Sequence, residues 1–306
     1  MEHFKEIGGR LSNWKRWGAD DQRGTLNFIT PGAILAAATC IRSGKVFDLS
    51  IPVGSDGPQT GLGGRINPLH VMTVMPTDDL GLGDGLRVSD DFISMPLQGA
   101  TQWDSLAHVG YDERFYNDVP VNAVSSMRGA TRNGIDRVCP GVVGRGVLAD
   151  VARHRGVHWL DGGEAIEPED LDATLAGEGV KVNSGDILAV RTGWRRKALA
   201  DGWAGWLETN PGLSVRCADW LHDHELSAVV SDNWGIEVQP AEPDTGMLPL
   251  HCILIRDMGM LLGEILDLEA LAEDCAADGV WDFFLAAPPL RVVGGVGSPV
   301  SPLAVK

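Results

Sequence analysis

The chain has 306 residues, 44% hydrophobic and 22% charged, with 39 Gly and 17 Pro; at this length roughly three quarters of the unfolded surface is buried on folding, so a core forms without metal or disulfide staples. Acidic residues outnumber basic ones 42 to 25, for a net charge of −17, and no Lys/Arg cluster is long enough to track a phosphate backbone, which makes nucleic acid and anionic membrane poor partners. Five cysteines form no CxxC pair, the opening MEHFKEIGGRLSNWKRW lacks an apolar signal segment, and no apolar run reaches about 18 residues, so the expectation is a cytoplasmic protein with free thiols and no membrane span.

No linker, repeat or low-complexity stretch divides the sequence, and one domain over 1–306 is expected, with an N-terminal arm at 1–30. Thr30 is a candidate cap with Pro31 at the first helical position, and AILAAATCIRSGK continues that helix to Gly44. VFDLSIPV alternates as a strand and ends at Gly54 and Pro58. The Gly, Pro and Asp density over 55–85 reads as loops with one short strand near 71–75, a length typical of lids and rims.

The later half alternates more regularly. RGVLADV predicts a strand and EPEDLDATLAGEGV a helix with an acidic first turn. DILAVRTG and SAVVSD suit strands buried on both faces, and SVRCADWLHDHEL between them has helical spacing. HCILIRDMG reads as a strand, DLEALAEDCAADG as a helix with Asp267 as candidate cap, and WDFFLAAPPLRVV as a last strand. The pattern is α/β with a mixed sheet.

GLGDG, beginning at Gly81 after Leu80, carries no GK[ST] and no GxSxG occurs, so a phosphate cradle and the serine-hydrolase elbow are both disfavoured. The segment MPLQGATQWDSLAHVGYD is richer, placing Gln98, Gln102, Asp104 and His108 within eleven residues. On a strand Gln98, Gln102 and Asp104 share a face, and His108 comes within reach of Asp104 if the chain turns helical at Ser105. A bound cation or an Asp/His acid-base pair would explain the cluster, as would a polar strand end with a capping Asp. Ten Trp against two Tyr suggest flat apolar walls, and Trp103 and Trp234 are candidates to line a pocket, with core packing as the alternative. Asp232, Asn233 and Glu237 follow a buried strand, where α/β proteins place sites and also turns. His70 precedes a short strand and reads as structural, with a place facing the same cavity as the alternative; His154 and His158 read as surface residues, and His222 and His224 as complements to a helix dipole rather than a metal site.

The same segment resembles the signature HxGTHxDxPxH of the cyclase family, which includes bacterial kynurenine formamidases and isatin hydrolases. The resemblance extends over WGADDQRGTLNFITP, GDILAVRTGW, SDNWGIE, PLHCILIRDMGMLLGE and GSPVSPLAV, most of the chain. Aligned on Asp104 and His108, the first two histidines of the signature fall on Gln98 and Gln102, the threonine on Thr101 and the proline on Leu106. His251 and Glu264 lie where the family has its later ligand pair.

Membership implies a single-domain mixed-sheet fold of the swivelling β/β/α type and a divalent metal, usually zinc or manganese, on Gln98, Gln102, Asp104, His251 and Glu264. It also implies His108 as acid and base with Asp104, a small-molecule substrate, and a homodimer or homotetramer. The carboxamides in place of two imidazoles shift such a site from Zn²⁺ toward harder ions such as Mn²⁺. The implied function is a hydrolase opening a C–N or C–O bond in a small cyclic amide, lactone or aryl amide. The alternatives are a metal-free lyase or cyclase using the Asp104/His108 pair, with Gln98 and Gln102 as substrate-binding residues that hydrogen-bond a carbonyl or a developing oxyanion, and a non-catalytic binding protein. Resemblance also suggests that GSPVSP turns back into the core with Ser298 near the site.

Overall fold

The computed structural model describes residues 3–306. Phe4, Ile7 and Leu11 recur at helical spacing and bury one side of α1 (Phe4–Leu11), so the N-terminal arm is anchored in the main core. Thr30 caps α2 (Pro31–Ala38) through its Oγ1, which accepts from the Ala33 N–H at 3.1 Å, with Pro31 at the first position. The helix stops six residues short of Gly44, because Thr39 closes the last turn with its Oγ1 on the Ala36 carbonyl and the chain turns away through Cys40.

Among the described residues, eleven strands of three residues or more then frame the molecule: β1 (Val46–Asp48), the hairpin β2 (Leu69–Val74) and β3 (Asp90–Ser94), β4 (Gln102–Asp104), β5 (Val143–Asp150), β6 (Ile187–Arg191), β7 (Ala228–Ser231), β8 (Leu261–Glu264), β9 (Asp282–Ala286), β10 (Gly297–Pro299) and β11 (Leu303–Val305). All but the hairpin join one mixed sheet in the order β1-β11-β9-β5-β6-β7-β8-β4-β10. Strands β5, β6, β7 and β8 run parallel, and the pairings outside that block are antiparallel. The apolar runs of β6 and β7 are buried throughout, as expected for parallel strands covered on both faces. Crossovers carry α3 (Pro168–Glu178) between β5 and β6, then α4 (Trp194–Asp201) and α5 (Cys217–Asp223) between β6 and β7, with α6 (Glu269–Asp278) after β8.

One expected strand is not a strand. HCILIRDMG begins on a helical turn at Pro249–His251 and continues as a π-helix over Cys252–Met258, ending at Gly259 with φ +71°. A short apolar run buried on every side satisfies either conformation, and periodicity alone does not separate them; Pro249 supplies a helix start and Gly259 a left-handed stop. Asp267 sits one place before the observed cap of α6, Leu268, and accepts the Glu269 N–H at 3.3 Å. All five cysteines are free. Among the described residues no helix is long and apolar enough to cross a membrane.

Candidate metal centre

Strand β4 lies between β8 and β10 near one edge of the sheet, and its register decides what the site contains. Gln102 is opposite Glu264 and Asp104 opposite Leu262, so the alternation of the strand puts Gln102, Asp104 and Glu264 on one face. Trp103 points to the other. It is 1% exposed, its Nε1 donates to the Ala287 carbonyl at 2.8 Å, and it fills the space opposite Gly263, where a Cβ would stand 2.9 Å from the indole. The expected pocket wall at Trp103 is therefore corrected to core packing. Ser298 shares that far face in β10, where its Oγ accepts from the Leu290 N–H and donates to the Pro299 carbonyl, so the terminal segment does return to the sheet but does not bring this hydroxyl to the site.

His251 arrives from the turn before the π-helix. Its Nδ1 is 2.5 Å from Glu237 Oε1, and Glu237 also accepts the N–H groups of His251 and Leu250 at 2.8 and 3.0 Å. This fixes the ring and presents Nε2 to Glu264 Oε1 at 3.1 Å and to Asp104 Oδ2 at 3.9 Å. Asp104, His251 and Glu264 each offer a ligand atom within 4.8 Å of the others. A histidine whose second nitrogen is held by a carboxylate is the arrangement that metal sites use to set tautomer and basicity.

The glutamines divide between two tasks. Gln102 Nε2 donates to Glu264 Oε2 at 2.6 Å, leaving its Oε1 buried without a partner. Gln98 Nε2 faces His108 Nδ1 at 3.4 Å, in space kept open by Gly297, where a Cβ would fall 2.3 Å from that nitrogen. Thr101 ties the start of β4 to its neighbours, donating to the Ile265 carbonyl and accepting the Ile51 N–H. A turn at Ser105, closed by the His108 N–H on the Ser105 carbonyl, swings His108 back until Nε2 is 3.8 Å from Asp104 Oδ2. The reach anticipated from the i,i+4 spacing is realised by a turn.

Charge in this centre is incompletely compensated. Glu237, Asp104 and Glu264 are all buried, and both oxygens of Asp104 lack a hydrogen-bond donor. Burial pushes the Asp104 carboxyl up to about 6, with Glu264 adding to the shift and His108, His251 and Arg65 opposing it. Burial alone would neutralise His251, but its bonds to Glu237 and Glu264 prevail and hold its pKa well above the usual value. Burial lowers the pKa of His108, so that imidazole is neutral at ordinary pH. Three buried carboxylates against one imidazolium leave a deficit of positive charge, and orphaned oxygens point into it. A divalent cation would fit this donor set by displacing the His251 Nε2 proton, with Asp104, the then-neutral His251 and Glu264 as ligands and the Gln102 carbonyl as a further hard oxygen.

The other sequence candidates scatter. Trp234 is half-buried against Ile51, Ala100, Trp194, Trp206 and Ile265, with its Nε1 buried and unpartnered, and it remains a candidate pocket residue beside the β8 end. Asp232 holds the Thr192 and Gly193 N–H groups and Asn233 the turn at Ile236. His70 pairs with Asp91 across the exposed hairpin. Glu237, singled out only by its place after β7, turns out to orient His251; a separation of 14 residues gave no signal for that pairing. Arg65, which no motif marks, lies near enough to act on both Asp104 and His108.

Residues 47–238 match the family model described as "Putative cyclase". The chain belongs to the cyclase family. A crystal structure of a novel cyclase superposes with a TM-score of 0.90 at 42% identity, covering 96% of this chain and 99% of its own. Isatin hydrolase A from Ralstonia solanacearum superposes with a TM-score of 0.65 at 19% identity, covering 90% and 97%. The Labrenzia aggregata isatin hydrolase A bound to benzyl benzoate gives 0.62 at 19%, covering 91% and 98%. At that identity the last two show a shared fold. No curated protein matches the chain significantly.

Proposed function

We propose that this cyclase-family protein is a divalent-metal-dependent hydrolase that opens a C–N or C–O bond in a small cyclic amide, lactone or aryl amide. The observation that carries the reading is the buried Asp104, His251 and Glu264 cluster, with unpartnered oxygens on Asp104 and Gln102, next to a neutral His108. Structural neighbours described as isatin hydrolases and as a potential metal-dependent hydrolase with cyclase activity agree with it.

The bound ion supplies Lewis-acid polarisation and lowers the pKa of water; Mn²⁺ suits the oxygen-rich donors better than Zn²⁺. Glu237 holds His251 in the tautomer that keeps Nε2 directed at the centre. His108 accepts the proton of the attacking water as its oxygen bonds to the carbonyl carbon. The C–N or C–O bond then breaks, and His108 returns that proton to the leaving nitrogen or oxygen, giving a carboxylic acid, which ionises to carboxylate by releasing the second water proton, with an amine or hydroxyl. Such proton transfer contributes about 10²- to 10⁴-fold. Gln98 steadies the His108 ring, and Trp234 offers an indole N–H and an apolar face to the substrate. A second copy of the chain in a homodimer or homotetramer belongs to the same proposal.

The test is turnover of a panel of cyclic amides, lactones and aryl amides, isatin among them, in ¹⁸O-water with Mn²⁺ or with EDTA. Solvent oxygen in the product, lost with EDTA and restored by Mn²⁺, is expected. Full activity in chelated, metal-free protein overturns the metal role, and product without ¹⁸O overturns hydrolysis.

A further inference from the structure

Arg65 stands in the loop that precedes β2, and that loop is built rather than slack. Asn67 closes it, donating from Nδ2 to the carbonyls of Gly57 and Gln59 at 3.1 and 3.2 Å and accepting the Gln59 N–H at 2.9 Å. Within it the Gly61 N–H donates to the Arg65 carbonyl at 3.0 Å, and the Arg65 N–H to the Leu62 carbonyl at 3.1 Å. Gln59 is buried and donates from Nε2 to the Gly99 carbonyl at 3.1 Å. Gly99 directly follows Gln98, whose amide faces His108. The loop is thereby fastened to the turn that forms one side of the site.

The Arg65 side chain is half-buried, and among the described residues it makes no side-chain hydrogen bond or ion pair. Four other sheltered arginines are matched, Arg145 to Asp186, Arg155 to Asp170, Arg191 to Asp150 and Arg195 to Asp267; Arg23, also half-buried, has an unpartnered Nε, but Arg65 is the one whose charge acts on Asp104 and His108. A partly desolvated guanidinium without a carboxylate is costly unless an anion completes it. Its planar fork of donors is shaped for a carboxylate, and its position lets it act on Asp104 and His108.

We infer that Arg65 is a substrate-binding residue that selects ligands carrying a carboxylate or an equivalent oxyanion, docking that group between the 57–67 loop and the Asp104/His108 side of the centre. The inference deepens the hydrolase reading, on which it rests for the origin of the anion: opening an amide or lactone ring generates a carboxylate.

Equilibrium binding tests it without turnover. Benzoate, phenylacetate and 2-aminobenzoate are titrated by calorimetry into the full chain, each beside its primary amide, in Mn²⁺ and again in EDTA. In both conditions the wild type binds at least one carboxylate roughly tenfold or more tightly than its amide. Arg65→Gln loses that preference and keeps its amide affinity, Arg65→Lys retains part of it, and thermal midpoints stay unchanged. A wild type with no carboxylate preference overturns the inference, as does an Arg65→Gln variant that keeps the preference. The hydrolase reading fails separately: an Arg65-dependent preference with no ¹⁸O incorporation leaves Arg65 standing and removes hydrolysis, and the reverse result removes only Arg65.

Discussion

At the C-terminal ends of β5 and β6, Asp150 and Arg191 stand side by side in a buried cluster with Glu269 and Arg153; at the β4/β8 edge, Asp104 and Glu264 stand beside His251 and Glu237. Both groups hold buried carboxylates, but the first sets two guanidiniums against two carboxylates and the second sets one imidazole against three. In the first, Arg191 bonds Asp150 at 2.7 Å and both oxygens of Glu269 at 2.8 Å, while Arg153 takes the other Asp150 oxygen at 3.0 Å. Nearby, Asp232 receives two N–H groups and a hydroxyl. In the second, the Asp104 oxygens receive nothing. A buried carboxylate with every lone pair met fixes a fold, whereas one left bare is tolerated where a ligand completes it. The two clusters thus separate by charge balance and hydrogen-bond accounting together.

Exchanging the roles of the two clusters by mutation tests this contrast. The largest effect is expected at His108→Ala, with kcat/KM falling about 10²- to 10⁴-fold on any substrate the panel identifies and no change in unfolding midpoint. A variant of full activity removes His108 from the chemistry. Arg191→Ala should do the opposite, costing roughly 3–5 kcal/mol in denaturant unfolding because Asp150 and Glu269 lose their buried cation, with Mn²⁺ affinity unchanged in the folded fraction. Equal loss of metal affinity would erase the distinction between the clusters.

Glu237→Gln sits between them, since Glu237 touches the centre only through His251. Metal affinity measured by calorimetry should fall about 10- to 100-fold, while the fold persists because Gln keeps an acceptor for the Leu250 and His251 N–H groups. The smallest effect is expected at Glu178, which accepts the Asp150 N–H at 2.9 Å but has its other oxygen buried and bare. Burial pushes its carboxyl up to about 8 against an ordinary value of 4.5. Being raised in the folded state, it favours folding fully below pH 4.5, and that advantage is lost as pH rises through 8. Glu178→Gln should therefore match the wild type near pH 5 and exceed it by on the order of 1 kcal/mol at pH 9; identical stability curves would show that this orphan oxygen carries no penalty.

Much of the architecture was legible because its signals are local. Thr30 and Pro31 announce α2, and the apolar runs of β6 and β7 announce parallel strands covered on both faces. Gln102 and Asp104 share a face because a strand has period two. The misread parts depend on what lies across space. Trp103 lies in the core because Gly263 opposite it leaves room and Ala287 offers a carbonyl, neither visible from TQWDS. The 252–258 run is a different case: its all-round apolar pattern suits a strand as well as a helix, and Pro249 and Gly259 mark the helix ends.

By itself the sequence determined the family, the α/β class and the short segment that carries the chemistry, since motif spacing and hydrophobic period are properties of neighbouring residues. Only the tertiary structure decided which polar atoms are left without partners. It set Glu237 behind His251, sent Gln102 to Glu264 and Gln98 to His108, and brought Arg65 to the site from a loop some forty residues away, roughly the span over which only chain closure and not local pattern sets proximity. Hydrogen-bond satisfaction and charge balance are sums over everything near an atom, and those neighbours come from five separate stretches of the chain.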